Sequence, residues 1–415
     1  MQYIKRDIEQ PLLDHLDKPE ISLILGPRQV GKTTLMRRIQ RQLAKEGAPT
    51  LFLNLDIETD WSYVTSQARL LKKIRNEFGE QSGYVFIDEI QRKEDAGRYL
   101  KGLYDMQLPY KFLVSGSGSL ELKEKVVESL VGRKRIFEMA PVSFREFLQF
   151  RTGYRYEDRL DDWLELESEQ RQLLLEKYLT YGGYPAVVAA ATQDERVQVL
   201  ADIYRSYLDR DINSIINIDK PREFGLLFQY LAGITGYPLN YSSIARQIAL
   251  STKTIQQYLW YLEKTFMIRL IRPFYRNQQK ELTKAPTPYF VDLGMRNYLL
   301  QSWQPDGMGF QNLIANELHQ ASAPGNPPKY WRTKDKAEVD FITGTYQQPI
   351  PVEVKFRTLS RAETPRALRN FIRRYGPERA YVLHLGEAMD TEVGGTRVLV
   401  WPFYAWLEPL RHLGH

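Results

Sequence analysis

Four short apolar runs punctuate the first 150 residues: ISLILG (21–26), TLFLNLD (50–56), YVFIDE (84–89) and KFLVSG (111–116). Each reads as one buried strand and ends in a glycine or an acid. Segments with helical spacing lie between them. Apolar strands alternating with helices form a parallel sheet covered on both faces, so this part of the chain predicts an α/β core. From Pro141 to about Ile218 the pattern turns helical, with a break at Gly182-Gly183. Residues 222–275 read as three helices and then a strand pair. The remainder is mixed again, with strands expected at 330–342, 350–356, 380–385 and 397–401, and a loop at Pro324, Pro327 and Pro328.

A chain of 415 residues is too long for one typical core, so several domains are expected. It contains no cysteine, which excludes disulfides, thiolate zinc sites and iron–sulfur clusters and fits a reducing cytoplasm. The N-terminus lacks the apolar run of a secretory signal, and no stretch reaches the ~20 apolar residues of a membrane span. The expectation is a soluble, cytoplasmic protein without membrane contact. Net charge is +6, and its distribution says more than its sum. Residues 219–286 hold ten Lys/Arg against four Asp/Glu, whereas residues 157–176 hold eight acids and two bases. A local basic surplus suits a phosphate-rich partner or a solvated face.

Gly26-Pro27-Arg28-Gln29-Val30-Gly31-Lys32-Thr33 fits G-x-x-x-x-G-K-[ST], follows a predicted strand and opens a helix at Thr34. In that context the glycines let backbone N–H groups curl round a β-phosphate, aided by the positive end of the helix. Residues 26–34 are therefore the expected ATP-binding set. Lys32 would bridge the β- and γ-phosphates and Thr33 would offer its hydroxyl to Mg²⁺. The other half of the site is expected on a neighbouring strand, YVFIDE, with Asp88 holding Mg²⁺ through water and Glu89 polarising the attacking water. Ser115 or Ser117, after the fourth strand, could bond the γ-phosphate or that water. Arg133 is the candidate for offsetting charge on the transferred phosphoryl group, in cis or from a neighbouring subunit. A turn and a surface arginine are the plainer readings of these last two.

GPRQVGKTTL, FIDEIQR, LVSGSGSLEL, Gly132-Arg133 and the string Pro141 to Phe147 together resemble a large prokaryotic group of AAA-superfamily ATPases. The resemblance continues through Tyr207-Leu208-Asp209-Arg210-Asp211 and covers nearly the whole chain. In that group the C-terminal half is usually catalogued only as a domain of unknown function. The resemblance implies an AAA-type core, a winged helix and a nuclease-like module, and some relatives resemble DNA motors such as branch-migration ATPases. The fold expected is a multidomain α/β one: a P-loop AAA-type core over 1–150, a helical lid over 151–218, a winged helix over 219–290 and a PD-(D/E)XK nuclease-like domain over 291–415.

Residues 240–263 read independently as a helix-turn-helix. Asn240 can cap SSIARQIAL and Ser251 can cap TKTIQQYLWYLEK, with Ile244, Ile248, Ile255, Leu259 and Leu262 as core positions. MIRLIRPFY and RNQQKELTK would follow as a wing. Thr252, Lys253, Thr254, Gln256 and Gln257 would lie early on a recognition helix, and Arg269, Arg272, Arg276, Lys280 and Lys284 would add backbone contacts. A winged helix used for protein contacts is the competing reading.

In the last region Asp340 lies in one expected strand, and Glu353 and Lys355 share a face of the next. An Asp followed by Glu-x-Lys can hold a divalent metal near phosphate, which is the PD-(D/E)XK pattern the resemblance implies. Glu317, on a helix, would be the further acid. The chain departs from the group at Gln311, where members often carry an acid. Arg366, Arg369 and Arg373 fall on one stripe of a helix, near Lys355, as a phosphate-binding ridge or a solvated face.

The favoured expectation is an Mg²⁺-dependent ATPase that remodels duplex or branched DNA as a homo-oligomer, a hexameric ring being one arrangement. A nucleotide-dependent switch or defence sensor that binds protein, and an ATP-coupled endonuclease, are the alternatives.

Overall fold

The computed structural model of the chain describes residues 3–118, 130–210, 212, 220–275, 281, 284–323, 325–333, 335 and 337–406. It divides into two compact units built from interleaved segments. One holds residues 1–142, 184–221 and 258–267, and the other holds residues 143–183, 222–257 and 268–415.

The four apolar runs of the first unit all become strands: β1 (Ile21–Gly26), β2 (Thr50–Asn54), β3 (Gly83–Asp88) and β4 (Tyr110–Ser117). With β5 (Lys134–Glu138) they form a parallel sheet in the order β2-β3-β4-β1-β5. Every residue of β1 is buried, as a strand covered on both faces requires. β5 escapes the sequence pattern because it is an edge strand whose one fully buried residue is Phe137; charges there guard an open edge. The helix Lys32–Lys45 turns Leu35, Met36, Ile39 and Leu43 inward at three- and four-residue spacing. The helix Gln67–Phe78, capped by the Ser66 hydroxyl, buries Leu70, Ile74 and Phe78 in the core that β1, β3 and β4 share.

In the second unit β8 (Lys329–Arg332), β9 (Glu338–Gly344), β10 (Pro349–Val354), β11 (Arg379–His384), β12 (Met389–Val393) and β13 (Thr396–Pro402) form a mixed sheet, in the order β12-β13-β11-β10-β9-β8. The strand expected at 330–342 is thus two antiparallel strands. β12 was not expected, since an edge strand with no buried residue carries no apolar signal. The helix Arg366–Tyr375 links the parallel pair β10 and β11 and sets Leu368, Phe371 and Ile372 into a core with Trp331, Val339 and Val382.

The three helices expected after residue 222 are Pro221–Gly233, Tyr241–Ile248 and Thr252–Lys264, followed by the antiparallel pair β6 (Ile268–Ile271) and β7 (Thr287–Phe290). Both expected caps form: Asn240 Oδ1 accepts from Ser243 N at 3.0 Å, and Ser251 Oγ accepts from Thr254 N at 3.0 Å. Ile244, Ile248, Ile255, Leu259 and Leu262 are all buried.

Candidate functional site

β1 ends where residues 26–31 wrap into a loop that delivers Lys32 and Thr33 to the first turn of a helix. The loop needs its glycines for separate reasons. Gly31 sits at φ 98°, in the left-handed region. A Cβ on Gly26 would lie 2.1 Å from the Met139 carbonyl oxygen. Lys32 Nζ donates to the carbonyls of Gly26 at 3.0 Å and Pro27 at 2.7 Å. Arg6 ties the loop from outside, donating to Val30 O at 2.9 Å and Ala140 O at 2.5 Å.

Asp88 and Glu89 leave the carboxyl end of β3. That strand is not the neighbour of β1, as expected, because β4 is inserted between them. The acids still reach the loop, since the helix after the loop carries Thr33 across β4. Thr33 Oγ1 donates to Asp88 Oδ2 at 2.7 Å. Ser115, on the intervening strand, donates to Asp88 Oδ1 and accepts from Glu89 N at 3.3 Å. Ser115 is fully buried, and its hydroxyl donates to that carboxylate. Ser117 is likewise engaged: its hydroxyl accepts from Gln91 Nε2 at 2.7 Å, and the same amide donates to Glu89 Oε2.

Glu89 holds a left-handed backbone at φ 59°, an uncommon state for a glutamate and one that clusters at functional sites. Burial pushes its carboxyl above the ordinary range; the Lys32 charge works against that and the Asp88 charge adds to it. A carboxylate so placed takes up a proton more readily than an exposed one.

Beside Val30 and Gly31 lies a cavity of about 720 Å³ whose lining includes the apolar Ile4, Val30, Met139 and Pro185, together with Thr34. Arg38, Arg41 and Lys45, on the helix after the loop, line it too, with Glu46 beside them. Gln91, Arg6 and this cavity were missed from sequence. Gln91 lies within the quoted FIDEIQR string and could have been weighed; residues 4, 139 and 185 carry no sequence signal that joins them.

Arg133 is at the other end of the sheet. Its carbonyl accepts from Ile21 N, at the start of β1, whereas Gly26 ends that strand. Five residues of strand separate the two by about 17 Å, too far for Arg133 to serve its own loop. Its Nε pairs with Asp105 at 2.6 Å.

In the second unit, Asp340, Glu353 and Lys355 do come together. Lys355 Nζ lies 2.8 Å from Glu353 Oε1, and Asp340 Oδ2 accepts from Val354 N at 2.8 Å. Burial raises the carboxyls of both acids, and the charge of Glu353 raises Asp340 further. Burial opposes the charge on Lys355, yet Glu353 and Asp340 hold it above its ordinary value. Glu317 does not join them, contrary to expectation: its Oε1 accepts from Phe144 N at 3.3 Å. Six residues along a helix turn a side chain to another face, and the residue that faces the site is Gln311, whose amide donates to Asp340 Oδ1 at 3.0 Å. Each oxygen of Asp340 thus accepts one hydrogen bond and keeps a second acceptor site; among the described residues no three His, Cys, Asp or Glu gather as metal ligands. Glu353 Oε2, beside them, is buried without a hydrogen-bond partner, so the pair Asp340 and Glu353 offers the hard oxygen donors that a divalent ion takes.

Of the residues expected to meet DNA, Thr252, Lys253, Gln256, Gln257, Arg272 and Lys284 are exposed, and Thr254 is half-buried. Arg269 is bonded to Asn316 Oδ1 at 2.9 Å. Arg276 and Lys280 lie outside the described residues. Among the described residues no helix is long and apolar enough to cross a membrane.

Residues 18–148 match a family described as an AAA domain. Residues 172–306 and 306–406 match two families described as domains of unknown function, DUF8612 and DUF4143. An uncharacterized protein of Mycobacterium tuberculosis is 26% identical over 360 residues, which is 85% of this chain and 74% of that protein. Among solved structures, AMPPCP-bound DnaA from Aquifex aeolicus aligns with 62% of this chain and 86% of its own at 13% identity and a TM-score of 0.27. A structure described as the basis for katanin self-assembly aligns with 35% of this chain at 18% identity and a TM-score of 0.26, and this chain spans about half of it, 54%. At such scores neither alignment bears on function.

Proposed function

We propose that the chain is a magnesium-dependent ATPase that acts on DNA as an assembly of several copies in the cytoplasm. One observation carries the ATPase reading: Thr33, at the end of the glycine loop, is bonded to Asp88, with Glu89 and the charge of Lys32 beside them. Lys32 would hold the β- and γ-phosphates. Thr33 and, through water, Asp88 would hold Mg²⁺, which neutralises phosphate charge when bound. Their hard oxygen donors suit that ion. Glu89, kept in place by the Gln91 amide, would orient the attacking water and draw off its proton. The apolar cavity beside Val30 would take the base and ribose. Arg133, unable to serve its own loop, would act on the site of a neighbouring copy.

The DNA reading draws on the capped helix Thr252–Lys264, whose exposed Lys253, Gln256 and Gln257 match the groove-facing residues of a recognition helix. On this reading residues 219–290 are a winged helix, residues 151–218 a lid, and residues 291–415 a nuclease-like fold used for contact. ATP turnover measured alone and with duplex, forked and four-way DNA tests the whole. Stimulation that fades steeply with salt is expected. Turnover indifferent to every DNA, together with no binding at low salt, would leave an ATPase with another partner. An ATP-coupled endonuclease would have to nick plasmid with Mg²⁺ or Mn²⁺ and lose that activity in Asp340→Ala.

A further inference from the structure

The helix Arg366–Tyr375 is divided sharply between two faces. Leu368, Phe371 and Ile372 are buried in the core of their own unit, while Arg366, Arg369, Arg373 and Arg374 are exposed. At 100° per residue Arg366, Arg369 and Arg373 fall within a narrow arc opposite the apolar side. The helix contains no acid. Several other arginines on or beside this sheet have carboxylate partners: Arg332 with Glu338 at 3.2 Å, Arg357 with Glu363 at 2.8 Å, and Arg397 with Asp390 at 2.6 Å. The side chains of Arg366, Arg369 and Arg373 make no hydrogen bond or ion pair among the described residues.

That arrangement runs against the helix's own electrostatics. Like charges three and four residues apart repel. Arg373 in the last turn suits the helix dipole, but Arg366 is the first helical residue, where the dipole disfavours a cation. Among the described residues no carboxylate neutralises these three, and a polyanion laid along the ridge would.

We propose that Arg366, Arg369 and Arg373 form a ridge that grips the phosphodiester backbone of duplex DNA. The inference rests on the DNA reading above and adds to it a second contact surface, remote in sequence from the recognition helix. The three span about 10.5 Å along the helix axis at ~1.5 Å per residue, which matches about three phosphate-to-phosphate steps of one strand at ~3.4 Å of axial rise each. A lipid surface fits less well, because a membrane-lying helix turns its apolar face to the lipid, and here that face is buried. An acidic protein fits less well too, since a protein interface is anchored by aromatic residues, and the exposed large apolar residues of the described chain all lie before residue 240.

Binding of the full chain to a fluorescein-labelled duplex, followed by anisotropy from about 50 to 200 mM salt, tests the ridge. Arg366→Gln/Arg369→Gln/Arg373→Gln should flatten the slope of log affinity against log salt by about 2 to 3, near ~0.9 per lost phosphate contact. Affinity at the lowest salt should fall roughly tenfold or more, while ATP turnover without DNA stays at the wild-type rate. The matching triple lysine variant, which keeps the charge, should keep the slope. It also gives a second reading should the glutamine variant fold poorly, with circular dichroism as the control. Wild type and glutamine variant binding duplex with one slope and one affinity would overturn the ridge and leave the DNA reading standing. Wild type that binds no duplex at low salt would overturn both. Loss of binding to anionic vesicles or to a polyglutamate peptide, with duplex binding unchanged, would overturn the ridge in favour of that partner.

Discussion

Asp88 is fully buried with one oxygen bonded to Thr33 and the other to Ser115, so its position is set before any nucleotide arrives. Glu89 is anchored separately, by Gln91. Lys32→Ala should lose ATP binding in calorimetry. Glu89→Gln should still take up ATP but turn it over about 10²- to 10⁴-fold more slowly, the range general-base catalysis supplies; equal turnover would remove Glu89 from catalysis. Because its carboxyl is raised, turnover should fall with decreasing pH sooner than an ordinary glutamate would allow, which a pH–rate profile reads. A buried histidine makes a prediction about stability. His15 Nδ1 lies 2.8 Å from Ser22 Oγ and 3.2 Å from Lys111 Nζ, and burial with the Lys111 charge lowers its pKa from 6.5 to about 4. Between those values the unfolded chain binds a proton that the folded chain does not. Its contribution is thus complete above about 6.5 and is lost as pH falls toward 4. His15→Gln should flatten the fall in thermal midpoint across that window.

Among the elements, those with strong apolar periods were readable and those at edges were not. β1, β3 and β4 are buried on both faces and announce themselves as uninterrupted runs. β5 and β12 are edge strands with mixed or polar sequences, and only pairing with a neighbour makes them strands. The helix Gly307–Ala321 shows the same limit within one element: its period was legible, but which face meets the acids was not. Gln311 is turned to Asp340, and Glu317 to the backbone of Phe144. The Asn240 and Ser251 caps, by contrast, are local chemistry and were legible from spacing alone. Ser251→Ala should cost about 1 kcal/mol of stability, read by urea denaturation, and should weaken DNA binding if the start of that helix is a contact. An unchanged denaturation midpoint would mean that the cap contributes nothing.

At the level of the whole molecule, the nucleotide site as proposed is completed only by a second copy. Arg133→Ala should bind ATP normally and hydrolyse it slowly, and Lys32→Ala alone should not turn ATP over. A mixture of the two should regain turnover, since some sites would combine an intact loop with an intact arginine. Turnover by the mixture no higher than by either variant would argue against a shared site. The sequence by itself determined the phosphate loop, the acids that follow β3, the buried strands and the helix caps. Each of these is specified by residues close together in the chain, where glycine conformations, apolar periods and short hydrogen bonds act. Tertiary structure alone decided that β4 lies between β1 and β3, that Gln311 and not Glu317 faces Asp340, and that residues 4, 30, 139 and 185 wall one cavity. Those outcomes depend on which distant surfaces bury each other, and burial is an undirected force that leaves no local mark on the residues it joins.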